Sequence, residues 1–126
     1  MEYQGITEKI IGCAYRVYNK MGFGFLESVY EKCMMIELSK VGLSADFQCP
    51  ITVYYEGEVV GNFIADIVVN QDIIVELKSV RQLNKAHEVQ RVNYLTATQK
   101  PVGLLINFGE KELNIKRKLR NLPSEF

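Results

Sequence analysis

The stretch ADIVVNQDIIVELKS, residues 65 to 79, sets Asp66, Glu76 and Lys78 among valines and isoleucines. Glu76 and Lys78 are two apart, so on an extended strand their side chains share a face while Leu77 points to the other. Asp66 joins them if two strands pair symmetrically about Gln71, with Asn70-Gln71-Asp72 as the loop and Val69 opposite Ile73. A two-residue Asn70-Gln71 turn would instead set Asp66 opposite Val75 and throw Glu76 onto the other face. The register of this hairpin therefore decides whether the three residues meet.

Two carboxylates opposed across a strand pair repel, which costs stability unless a proton or cation lies between them. Hard carboxylate oxygens with no His or Cys nearby suit Mg²⁺ or Mn²⁺, which keep several waters and leave positions for a phosphate oxygen. Lys78 beside such an ion can hold or help deprotonate a water. The plain alternative is an exposed strand face carrying a Glu/Lys pair and an edge Asp.

The elements that must position these residues follow from periodicity. Ile6, Ile10, Cys13, Ala14, Val17 and Met21 recur at helical spacing over residues 6–21, and the glycine-rich GFGF then breaks the helix. Leu26, Val29, Tyr30, Cys33, Met34 and Leu38 predict a second helix from about Leu26 to Lys40, with Gly42 suited to its end. The period then falls to two, which predicts strands near 47–55, 58–69 and 73–80, with turns at Glu56-Gly57-Glu58 and Asn70-Gln71-Asp72. Residues 84–99 return to helical spacing, and Pro101 cannot continue that helix. PVGLLINF predicts a buried strand and ELNIKRKL a final one. The order ααβββαββ implies an α/β sandwich with a mixed β-sheet.

The chain's 126 residues are enough for one domain and too few for two ordinary ones, so a single domain over residues 1–126 is expected. Hydrophobic content of 48% with 24% charged residues is that of a globular protein, and no apolar run approaches the length of a membrane span. MEYQGITEKI lacks the basic start and apolar core of a signal peptide, so a cytoplasmic location with no membrane contact is the expectation. Cys13, Cys33 and Cys49 are widely spaced and odd in number, which speaks against disulfides and a CxxC metal site and suggests small buried residues. Net charge is zero, but residues 1–63 carry −3 and residues 64–126 carry +3. Lys111, Lys116, Arg117, Lys118 and Arg120 concentrate the excess, either as phosphate contacts or as the charged guard of an edge strand.

Taken together, these features resemble the PD-(D/E)XK nuclease superfamily, whose signature is an Asp on one strand, (D/E)xK on the next, and a preceding helix that carries a Glu. Asp66 and Glu76-Leu77-Lys78 match it, and Gly24-Phe25-Leu26-Glu27-Ser28-Val29-Tyr30 reproduces the GxxExxY motif of the family of that name. Gln90-Arg91-Val92-Asn93-Tyr94 is similar to the QxxxY element of RecB-type nucleases. The resemblance continues through the NFG at 107–109. Phe23 departs from it, since many members carry Pro there, and the cysteine cluster of iron–sulfur members is absent.

The resemblance implies a restriction-endonuclease-like sandwich and a Mg²⁺- or Mn²⁺-dependent phosphodiesterase that acts on nucleic acid, DNA in preference to RNA. Asp66, Glu76 and the Leu77 backbone carbonyl would hold the ion, and Lys78 would position the attacking water. Glu27 would point across from its helix to hold a metal-bound water, although a carboxylate in a first turn also simply complements the helix dipole. Gln90 would bond a metal ligand or the phosphate, and Tyr94 would flank the DNA. Tyr30, one turn after Glu27, suits core packing with its hydroxyl satisfied at the rim. Arg81, Lys85, His87 and Arg91 are candidate nucleic-acid contacts, with surface solubility or a structural histidine as the plain readings. The competing class is a catalytically inactive nucleic-acid-binding or protein-interaction module, and a chain this small is compatible with a homodimer.

Overall fold

The computed structural model describes residues 3–87, 89 and 100–119. Helices α1 (Gln4–Met21) and α2 (Glu27–Lys40) come first. Strands β1 (Ala45–Tyr55), β2 (Glu58–Val69), β3 (Ile73–Lys78), β4 (Val102–Asn107) and β5 (Asn114–Leu119) follow. The strands stand in sequence order in one five-stranded sheet. All neighbours are antiparallel except β3 and β4, which are parallel and so make the sheet mixed. Residues 85–87 and 89 are helical, as the spacing over 84–99 predicts. Gln90, Arg91 and Tyr94 lie outside the described residues.

The core forms where the helical stripes meet one sheet face. Ile10, Cys13, Ala14 and Val17 of α1 and Tyr30, Met34 and Leu38 of α2 pack on Ile67, Val69, Ile73, Val75, Leu77, Leu104 and Ile106. Each large apolar side chain buried in this way contributes about 1.5–3 kcal/mol. β4 is buried along its whole length, as a strand with a parallel neighbour and a continuous apolar sequence should be. The other face has a smaller cluster of Ala65, Val68 and Ile74, with Cys49, Ile51 and Phe63 against it. Cys13 is buried, whereas Cys33 and Cys49 are only partly so, and all three are free thiols. Gly42, at φ 78° just past α2, takes the left-handed conformation that ends the helix.

The two hairpins use different turns. Tyr55 pairs with Glu58, so Glu56 and Gly57 form a two-residue turn. Between β2 and β3, Val69 pairs with Ile73, Val68 with Ile74 and Ile67 with Val75, a register centred on Gln71. Asn70 and Gln71 both take positive φ, 50° and 65°, which short polar and amide side chains tolerate better than branched ones. The loop is therefore the three-residue one that brings Asp66 and Glu76 level.

Candidate active site

Beyond Ile67 and Val75 the two strands stay in register through side chains instead of main-chain pairs. The Asp66 N–H donates to Glu76 Oε2 at 2.8 Å, and the Leu77 N–H donates to Asp66 Oδ2 at 2.8 Å. Each acid thus spends one oxygen on a main-chain donor of the facing strand. Leu77 sends its side chain fully into the core. Lys78 lies close enough to Glu76 for its charge to favour the ionised carboxylate.

The expected division into an apolar face and a polar face holds for Ile67, Val69, Ile73, Val75 and Leu77, which all join the main core. Asp66 departs from it, because its carboxylate meets Glu31 of α2, the helix that packs on that core. The acids therefore line the seam where β2 and β3 part, reached from α2, and not an open sheet face.

α2 supplies two carboxylates to this seam. Glu27 opens the helix and accepts the Ser79 N–H at 3.3 Å on Oε2, which ties the helix start to the residue after Lys78. Glu31, one turn on, is 6% exposed and accepts the Gln48 amide, Nε2 to Oε1, at 2.9 Å. Burial and the nearby Asp66 push Glu31 up to about 7. The same two causes, burial first, push Glu76 up to about 8. Glu31 and Gln48 escape the sequence reading. A hint exists for Glu31, since Glu27 and Glu31 are like charges at i and i+4 on one helix face, a pairing that costs stability unless it serves a purpose. Nothing marks Gln48, whose polar side chain in a strand reads as solvated.

The loop before α2 is pinned at several points. The Gly24 N–H donates to the Phe108 carbonyl at 3.3 Å, and the Tyr30 hydroxyl donates to the Gly22 carbonyl at 2.7 Å while accepting the Phe25 N–H at 3.2 Å. The Ser79 hydroxyl donates to the Phe25 carbonyl. The Tyr30 ring is fully buried and stacks on Phe108 with centroids 4.2 Å apart. Tyr30 is thus a core residue whose hydroxyl organises the loop that delivers Glu27.

The far end of β3 is braced by the NFG segment. The Phe108 N–H donates to the Lys78 carbonyl at 2.8 Å. Asn107, fully buried, accepts the Val80 and Gly109 N–H groups on Oδ1 and donates to the Val80 carbonyl and Glu110 through Nδ2. At Gly109 a Cβ would sit 2.3 Å from the Val80 nitrogen and oxygen, so only glycine permits this approach.

His87 and Asn84 cap the next helix reciprocally. The His87 N–H donates to Asn84 Oδ1 at 3.1 Å and the Asn84 N–H donates to His87 Nδ1 at 3.3 Å, a capping box with histidine in the usual glutamate position. Its Nδ1 is occupied structurally, which leaves Nε2 as its outward donor. Arg81 and Lys85 are exposed just beyond the lysine strand. Among the described residues no three His, Cys, Asp or Glu side chains converge as a ready coordination shell. The crowded acids nonetheless fit a hard divalent cation: their oxygens suit it, and the burial and nearby Asp66 that push Glu31 and Glu76 up are effects that a cation would oppose.

Two helices followed by this mixed sheet make a restriction-endonuclease-like α/β fold. A family model described as the PD-(D/E)XK nuclease superfamily matches residues 4–118, and the chain belongs to that superfamily. Among solved structures, the "Crystal structure of SSO0001" is similar at a TM-score of 0.59 and 15% identity, over 96% of this chain and 61% of that one. That likeness concerns the fold. The chain spans 61% of that protein's length. No curated protein matches the sequence.

Proposed function

We propose that the chain is a single-domain, divalent-metal-dependent nuclease of the GxxExxY type, with DNA as its substrate. The reciprocal bonding of Asp66, Glu76 and Leu77 beside Lys78 carries this reading. It supports the reading because each carboxylate bonds the main chain of the facing strand, on a superfamily scaffold whose members are generally nucleases. Asp66, Glu76 and the Leu77 carbonyl would hold Mg²⁺ or Mn²⁺, with water and substrate phosphate completing the shell. When bound, such an ion supplies positive charge to the developing phosphorane and lowers the pKa of a coordinated water.

The chain's own residues do the rest. Lys78 holds the attacking water by donating to it, in line with the leaving oxygen, so that cleavage leaves a 5′-phosphate and a 3′-hydroxyl. Glu27 orients water at the helix side of the seam. Gln90 and Tyr94 are assigned the phosphate and the flanking strand, and Arg81, Lys85, His87 and Arg91 the phosphates further along. Incubation with Mn²⁺ and a panel of single-stranded, duplex and flapped DNA, with matched RNA, tests the proposal. Cleavage of at least one DNA with 5′-phosphate products is the expected result. Binding without cleavage across the whole panel would instead assign the fold to a non-catalytic module.

A further inference from the structure

Gln48 is the one residue of β1 in the left-handed region, at φ 51° inside the strand. Its neighbours pair regularly, Phe47 with Ile67 and Cys49 with Ala65, so the kink falls directly across from Asp66. A glutamine there is sterically disfavoured, and such conformations persist where the surroundings impose them for a purpose. The kink turns the amide onto Glu31, at 2.9 Å, and Glu31 in turn meets the Asp66 carboxylate. Asp66 then accepts the Leu77 N–H at 2.8 Å. The path runs from hairpin to helix to hairpin and ends on the motif strand.

We infer that Gln48 is a positioning residue, kinked out of β1 so that its amide fixes Glu31 and, through Glu31, the orientation of Asp66. The inference rests on the nuclease reading only for its catalytic readout. It assigns the β1–β2 hairpin a part in setting the site, which neither the signature residues nor the QxxxY element provides.

Two substitutions separate the amide from the kink. Gln48→Gly removes the side chain but adopts the observed φ freely, so its thermal midpoint should lie above that of Gln48→Ala. Gln48→Ala loses the amide and keeps the steric conflict, so its midpoint should fall. In both, amide hydrogen exchange at Leu77 should quicken about tenfold, because Asp66 no longer holds that N–H firmly. Glu31→Ala should give the same acceleration, and the double variant no more than either single one. In the cleavage assay Gln48→Gly should lower kcat about tenfold with KM unchanged. Leu77 exchange in Gln48→Gly within a factor of about two of the parent would overturn the inference and leave Gln48 as a mere kink. That readout needs no turnover, so a parent protein that fails to cleave would defeat the nuclease reading separately.

Discussion

At the scale of single residues, the seam is governed by two glutamates crowded against Asp66. Glu76 ionises near 8 and Glu31 near 7, both above the 4.5 of a free glutamate, through burial first and Asp66 second. The folded protein therefore retains protons that the unfolded chain releases. Stability from this source is fully present below about pH 4.5 and is lost as pH rises through 7 to 8. The thermal midpoint of metal-free protein should accordingly decline across that window, and Glu76→Gln should flatten the decline. A parent profile without slope between pH 5 and about 8 would contradict the assignment. Millimolar Mg²⁺ or Mn²⁺ should recover the midpoint at the alkaline end, since a ligand that binds only the folded state stabilises it by mass action. The candidate meeting of Asp66 with Glu76 was legible as a condition on the turn, and the three-residue loop centred on Gln71 meets that condition. Glu31 and Gln48 were not, because a helix–strand contact and a kink within a strand leave no periodic trace.

At the scale of elements, the site depends on how three segments are fastened. The loop 22–26 owes its shape to the Tyr30 hydroxyl, which donates to Gly22 and accepts from Phe25. Tyr30→Phe keeps the ring on Phe108 but leaves two main-chain groups short of a partner. It should cost about 1–3 kcal/mol in chemical denaturation, and reduced cleavage through Glu27 should accompany it. The end of β3 owes its position to Asn107 and to the absence of a side chain at Gly109. Gly109→Ala drives a methyl into the Val80 backbone and should cost roughly 1–3 kcal/mol, measured the same way. Stability equal to the parent would show that residues 79–80 yield freely. Helices α1 and α2, the β1–β2 turn and the final two strands could be placed from periodicity and glycine positions. The brace could not, since Asn107 ends an apolar strand and two of its four bonds go to the main chain of Val80, in the loop after β3.

At the scale of the whole molecule, charge is arranged by edge and seam while the net is zero. Lys116, Arg117 and Lys118 lie exposed on β5, one of the sheet's two edge strands, where like charges discourage pairing with another chain. Their phosphate role is thus not required to explain them. Among the described residues no helix is long and apolar enough to cross a membrane. The superfamily fold supplies the frame, and the seam of that frame is the proposed place of metal-dependent phosphodiester cleavage. The most direct test compares the parent with Asp66→Ala and Lys78→Ala in cleavage of a DNA substrate with Mn²⁺, after circular dichroism has shown that both variants are folded. At least about a hundredfold loss is expected in each, as removal of a charge-stabilising or proton-handling group entails. Cleavage near the parent rate in either folded variant would contradict it.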